Sequence, residues 1–191
     1  VVLLERDQLT SGTTWHAAGL VSQIGPSATI TKIRKYSLDL YKELEAKVNH
    51  SAGLRLNGAL SIAQTKGRWQ ELKRQATTAQ LYNFDVQILD KNEIKKKIPL
   101  IKYDDLIGGI LMPGDGSGDP SGITHLLAKA AKMEGAQIFE KSPVNKILIR
   151  NGKIGGVITN GIKIDCEYIV LATGMWSRQI GEEIGVSIPL Y

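Results

Sequence analysis

The chain opens on an unbroken apolar run, Val1-Val2-Leu3-Leu4, that ends on Glu5, the pattern of a short parallel strand covered on both faces. Residues 7–26 lose that pattern in Gly, Ser and Thr and predict a loop holding one short helical turn. From Ser27 to about Asn49, Ile30, Ile33, Leu40, Tyr41, Leu44 and Val48 recur at helical spacing, with Ser37 as the one gap. That spacing predicts a long amphipathic helix. Asn57-Gly58 divides extended pieces at 54–56 and 59–63, and Trp69, Leu72, Ala76, Ala79 and Leu81 return to helical spacing over 66–82. Residues 86–89 predict a strand, and Asp90 caps a short basic helix that stops before Pro99.

Residues 106–112 read as extended and run into the loop Pro113-Gly114-Asp115-Gly116-Ser117-Gly118-Asp119-Pro120. Asp119 as N-cap with Pro120 at the first helical position starts a helix that buries Ile123, Leu126, Leu127, Ala130 and Ala131 and ends near Gly135. Extended pieces follow at 137–140, 144–150, 157–159 and 162–165, the last three separated by Asn151-Gly152 and Asn160-Gly161. Two Asn-Gly turns between alternating runs predict a three-stranded meander. Residues 168–172 form a second wholly apolar run, read as another strand covered on both faces. It enters the turn Thr173-Gly174-Met175-Trp176-Ser177 and a helix through Ile180 and Ile184. The order is mixed α/β, a doubly wound nucleotide-binding core interrupted by a second region.

At 191 residues, with 42% apolar and 23% charged residues, the chain has ordinary globular proportions, which excludes disorder and collagen-like repeats. No apolar run is long enough to cross a bilayer. One cysteine, Cys166, and three histidines exclude an internal disulfide and a Cys-rich zinc site. The formal charge of +5 sits between Lys66 and Lys102, where 9 Lys or Arg face 4 Asp or Glu. That excess is either a solvated helix face or a phosphate-binding patch. With only 6% aromatics, nucleic acid is not an expected partner. Opening on Val1 with a strand already in progress, the chain reads as an internal piece of a longer protein, so targeting is not legible.

Candidate chemistry gathers near the start. A carboxylate at a strand tip accepts hydrogen bonds from ribose hydroxyls in dinucleotide-binding folds, and Glu5 has that position. The glycine fingerprint that should precede it by roughly 20 residues does not occur in the chain. Alone, Glu5 reads first as a solvated strand-end carboxylate. In the loop Gly12-Thr13-Thr14-Trp15-His16-Ala17-Ala18-Gly19-Leu20, small residues let a ligand approach backbone closely, and His16 beside Trp15 reads first as a packed side chain. Asp115-Gly116-Ser117-Gly118-Asp119 imitates a calcium loop, but Leu126 stands where a bidentate Glu is required, so no metal is expected.

The run Glu5-Arg6 … Leu9-Thr10-Ser11-Gly12-Thr13-Thr14-Trp15-His16-Ala17-Ala18-Gly19-Leu20 resembles the FAD-bearing segment of the sarcosine and dimethylglycine dehydrogenases. Asn57-Gly58-Ala59-Leu60, Asp115-Gly116 … Asp119-Pro120, Pro143-Val144 and Ala172-Thr173-Gly174-Met175-Trp176 fit the same family in order. The resemblance implies an α/β fold: a doubly wound, Rossmann-like FAD-binding domain with an inserted β-meander, beside part of an α+β substrate domain. Residues 1–52 and 120–185 would belong to the FAD-binding domain and 53–119 to the substrate domain. It implies that His16 bonds through its imidazole to the 8α-methyl of FAD, that Glu5 and Arg6 meet the adenosine half, and that Gly12, Thr13, Thr14, Trp15, Ala17, Ala18, Gly19 and Leu20 wrap the flavin and pyrophosphate. Val144 would contact adenine through its backbone and Gly174 would let the chain turn against the cofactor.

The activity so implied is oxidation of an N-methylated amino acid, with an electron acceptor such as an electron-transfer flavoprotein. A tetrahydrofolate-binding region would lie further along a longer chain, as would the catalytic acid or base, which is not assigned here. A bacterial cytoplasm or a mitochondrial matrix fits that family equally. An oxidase for another secondary or tertiary amine, a non-catalytic regulatory protein on the same scaffold, and a nucleotide-binding module without redox chemistry stay open.

Overall fold

The computed structural model describes residues 1–190. In chain order, β1 (Val2–Leu4), β2 (Leu20–Val21), α1 (Ala28–Val48), β3 (Ala59–Ala63), α2 (Lys66–Leu81), β4 (Gln87–Leu89), α3 (Lys91–Lys97) and β5 (Gly108–Met112) lead to β6 (Gly116–Ser117) and α4 (Pro120–Met133). After them come β7 (Gln137–Phe139), β8 (Val144–Arg150), β9 (Lys153–Thr159), β10 (Ile162–Ile164) and α5 (Ser177–Glu183). The chain divides into two compact units, one of Val1–Ser11 with residues 134–190 and one of Gly12–Met133.

In the first unit β1 pairs with β7 in parallel, Val2 opposite Gln137 and Leu4 opposite Phe139. The parallel pairing agrees with the apolar pattern, but the expected cover on both faces does not form: Val1, Val2 and Leu3 are all exposed. A ladder of two strands leaves a face bare unless another element lies on it. The meander β8–β9–β10 is antiparallel, as expected. Asn151, Gly152, Asn160 and Gly161 all take positive φ, which matches the tight reversal to the strand twist. β9 starts at Lys153 and not at 157, because the Gly155-Gly156 pair hides its period while β8 supplies the ladder.

The strand expected at 168–172 is absent, and Tyr168 and Val170 are 86% and 87% exposed. A run of apolar residues becomes a strand only when another strand accepts its hydrogen bonds, and no described segment pairs with this one. Cys166 lies half-buried just beyond β10.

The second unit holds a three-stranded antiparallel sheet in the order β3–β5–β4. Alternate residues of β5 serve its two faces. On one face Ile110 packs with Ala63, Leu72 and Ala76, which brings α2 onto the sheet. On the other, Leu111 joins Leu89, Ile94 and Leu106, covered by α3 and the chain that follows it. Fully burying a side chain such as Leu72 or Ile94 contributes roughly 1.5–3 kcal/mol.

The helix ends follow from local chemistry. Thr65 accepts from the Arg68 amide, and Asp90 with Glu93 closes a capping box around α3. Asp119 accepts from the Ser121 amide at the start of α4, as the sequence predicts. α1 packs on α4 through Leu44, Val48, Leu126 and Ala130. The buried stripe of α1 is shifted from the expected one: Thr31, Leu38, Leu44 and Val48 are buried, while Ile30 and Ile33 face solvent. Its first turns are packed through polar groups, which hydrophobic spacing cannot register. Leu81 and Leu127, also expected in the core, are exposed at the flanks of their helices.

Candidate functional site

The residues singled out from the sequence fall into two groups, one in each unit. In the first unit the chain leaves β1 at Glu5, whose amide donates to the Phe139 carbonyl (2.9 Å) and whose carbonyl accepts from Ser142 (2.8 Å). Glu5 Oε1 accepts from the Asp7 amide at 2.9 Å, and the other carboxylate oxygen has no partner among the described residues. It is free to accept from a hydroxyl. The Arg6 guanidinium bonds Asp7 (3.1 Å) and lies 4.8 Å from the centre of the Trp176 ring, which brings the turn Gly174–Trp176 beside Arg6. Gly174 takes φ +54, and open space surrounds the position a Cβ would fill. The Glu140 carboxylate accepts from the Leu9 amide (2.7 Å), and the Lys141 amide donates to the Asp7 carbonyl (2.7 Å). These bonds shape a cavity of about 560 Å³ lined by Arg6, Asp7, Gln8, Ser11 and Lys141. Val144 starts β8 opposite Thr159, its side chain part-exposed.

In the second unit, Thr14–His16 form one 3-10 turn, closed by His16 and Ala17 amides donating to the carbonyls of Thr13 (3.2 Å) and Thr14 (3.1 Å). The Trp15 and His16 rings lie 3.8 Å apart between centres and are tilted by 53°. The imidazole makes no hydrogen bond among the described residues and is exposed, as are Trp15 at 60% and Leu20 at 81%. His16 is thus not packed into a core within its unit. The turn sits on α4. Gly19 takes φ +70, and a Cβ there would run into the Gly118 carbonyl oxygen, so only glycine lets the chain pass. The Gly118 amide donates to the Gly19 carbonyl (2.8 Å), and β2 then pairs with β6.

Taken unit by unit, the residues suit parts of a flavin dinucleotide: in the first, a strand-end carboxylate oxygen without a partner among the described residues; in the second, an exposed imidazole beside an indole and small residues that keep backbone accessible. The amides of Gly12, Thr13 and Ala18 bond no acceptor among the described residues, which suits pyrophosphate or ring oxygens. No cluster of three or more metal-ligating side chains occurs among the described residues.

Beyond Val21, contacts that the sequence does not signal complete the segment. The Gln23 amide donates to Asp115 Oδ1 at 2.9 Å, and Asp115 is only 6% exposed. Burial pushes the Asp115 carboxyl above its ordinary value of 3.8, against the opposing pull of the Gln23 amide and the Arg34 charge. Arg34 Nη1 donates to Ser22 Oγ (3.0 Å) and to the Ile24 carbonyl, and Thr31 Oγ1 accepts from the Gly25 amide (3.1 Å). Sequence reasoning treats Asp115 as a turn residue. Its partner lies 92 positions away, so no local spacing signals the contact.

The mixed helix-and-sheet fold is of α/β class. The chain belongs to the FAD dependent oxidoreductase family, whose model matches residues 1–191. It is 37% identical over 190 residues to 4-methylaminobutanoate oxidase (formaldehyde-forming) of Paenarthrobacter nicotinovorans, covering 100% of this chain and 23% of the relative. To mitochondrial sarcosine dehydrogenase of Homo sapiens it is 37% identical over 195 residues, covering 99% and 21%. The mitochondrial pyruvate dehydrogenase phosphatase regulatory subunit of Mus musculus is 32% identical over 193 residues, covering 100% and 22%. Among solved structures, L-proline dehydrogenase from P. horikoshii superposes with a TM-score of 0.89 at 26% identity, over 97% of this chain and 49% of that one. The chain therefore spans about a fifth of the length of the curated relatives it matches.

Proposed function

We propose that the whole protein is a flavin-dependent amine dehydrogenase that demethylates an N-methylated amino acid such as sarcosine or dimethylglycine. The observation that carries this is the exposed His16 imidazole, held against Trp15 on a one-turn helix in the segment that resembles the family's flavin anchor. His16 bonds covalently to FAD, Glu5 takes the ribose hydroxyls through its unpaired oxygen, and Arg6, Val144 and Gly174 serve the adenosine side. Gly12, Thr13, Thr14, Trp15, Ala17, Ala18, Gly19 and Leu20 wrap the flavin and pyrophosphate. Residues 1–52 and 120–185 belong to the cofactor domain and 53–119 to the substrate domain.

When bound, the flavin supplies a two-electron acceptor for the hydride of an N-methyl carbon, leaving an iminium that water splits into formaldehyde and the demethylated amine. The named relatives that act on 4-methylaminobutanoate and sarcosine support this substrate class. Transfer of the carbon to tetrahydrofolate, and of the electrons to an electron-transfer flavoprotein, would use surfaces outside these residues. A bacterial or a mitochondrial setting accords with the relatives equally.

The test is to denature the whole protein and look for flavin fluorescence that migrates with the polypeptide. It is expected in the native sequence and absent in His16→Ala. Retention in that variant moves the attachment elsewhere. Turnover of sarcosine against dimethylglycine with an artificial acceptor then resolves the substrate. The similarity to a phosphatase regulatory subunit favours a second reading, a non-catalytic regulatory protein on this scaffold. A protein without covalent flavin that turns over neither amine supports that one.

A further inference from the structure

We infer that the buried Asp115 carboxylate is a positioning residue for the flavin-bearing segment, fixing its exit at Gln23 so that β2 and the turn carrying His16 keep one arrangement. The inference rests on the flavin reading above. After β2, four consecutive residues are each held by a side chain from elsewhere in the fold. Arg34 holds Ser22 and Ile24, Asp115 holds Gln23, and Thr31 holds Gly25. Thr31 Oγ1 also donates to the Ser27 carbonyl at 2.9 Å, so its acceptor lone pair stays aimed at Gly25.

The two α1 residues and Asp115 differ in where they are rooted. Asp115 belongs to the loop that leaves β5, the central strand of the sheet, and its backbone is fixed at both ends. Its amide donates to the Met112 carbonyl (3.1 Å) and its carbonyl accepts from Gly58 (2.9 Å). The same loop binds the segment twice more, at Gly19 through Gly118 and along Leu20 and Val21 through β6. Residues 112–119 are thus a cradle for the segment, and Asp115 is the charged and most deeply buried contact it offers. A half-buried amide left without its acceptor opens toward water, so losing this carboxylate frees the exit of the segment while leaving the core clusters intact.

The test uses the whole protein, with Asp115→Ala removing the acceptor and Asp115→Asn retaining an oxygen at the same place. Amide hydrogen exchange is measured over residues 20–26 and over α2, and the rate at which flavin becomes covalently attached is measured after adding FAD to apoprotein well below its melting temperature. In Asp115→Ala, exchange over 20–26 is expected to rise about tenfold with α2 unchanged, and attachment per bound flavin to slow about tenfold. Asp115→Asn is expected to stay within about twofold of the native protein on both readouts. Native exchange over 20–26 in Asp115→Ala overturns the inference. So does exchange that rises equally in α2, or attachment that falls only in proportion to folded protein. If the native protein binds FAD without a covalent link, the His16 reading fails instead, and exchange over 20–26 alone decides the role of Asp115.

Discussion

Two segments, 106–112 and 168–172, are both read as extended in the sequence, the second as the more apolar, and behave oppositely in the molecule. The first becomes β5, a central strand with antiparallel partners on both edges and apolar cover on both faces. The second forms no ladder and leaves Tyr168 and Val170 in solvent. An apolar run states how much surface must be covered. Whether it is covered depends on strands and helices supplied from elsewhere in the chain. A loop in each unit repeats the contrast with polar groups. Glu5 and Glu140 hold the Asp7 and Leu9 amides at the exposed surface, whereas the buried Asp115 carboxylate holds the half-buried Gln23 amide.

The largest effect should come from the covered sheet. Leu72→Ala is expected to cost about 3 kcal/mol in urea unfolding, since the side chain is fully buried between α2 and β5. A loss below about 1 kcal/mol would mean the sheet is far less tightly packed than it looks. Asp115→Ala comes next, at about 1–2 kcal/mol, from one half-buried amide left unpaired.

The same carboxyl gives a pH signature. Because burial raises its folded-state value, the folded protein binds the proton more tightly than the unfolded chain does. Stability therefore falls as pH rises from the ordinary 3.8 through the raised folded value. Asp115→Asn should remove that part of the slope. Melting curves of both proteins across this range check the sign, and parallel curves would show that Arg34 offsets the burial in full.

Glu140→Ala should change stability by about 0.5 kcal/mol or less, because the Leu9 amide finds water instead. The smallest effect is expected for Val170→Thr, within about 0.5 kcal/mol by urea unfolding, as the side chain has no cover to lose. A loss of 2 kcal/mol in the whole protein would show that this run is covered there, and would dissolve the contrast with β5.

Much of the architecture is legible from local chemistry. Ser27, Thr65, Asp90 and Asp119 each mark a helix start, and the two Asn-Gly pairs mark the meander, because caps and tight turns need particular side chains within a few residues. The segment around His16 is legible for another reason: its Thr-Trp-His-Ala-Ala-Gly-Leu string carries the family resemblance. The first turns of α1 are less so. Ile30 and Ile33 match the helical period, yet Thr31 and Arg34 face inward to bond the chain at Ser22, Ile24 and Gly25.

What the sequence determined alone was set within a few residues or one helical turn: the helices and their caps, the hairpin turns, and the small-residue loop around His16. Tertiary structure decided which apolar faces are covered and that Asp115 reaches Gln23 across 92 positions. It also decided that the His16 imidazole stays unbonded and exposed. The reason is the range of the forces involved. Caps and turns satisfy backbone groups locally, whereas burial and the hydrogen bonds it strengthens depend on which distant segments the fold brings alongside.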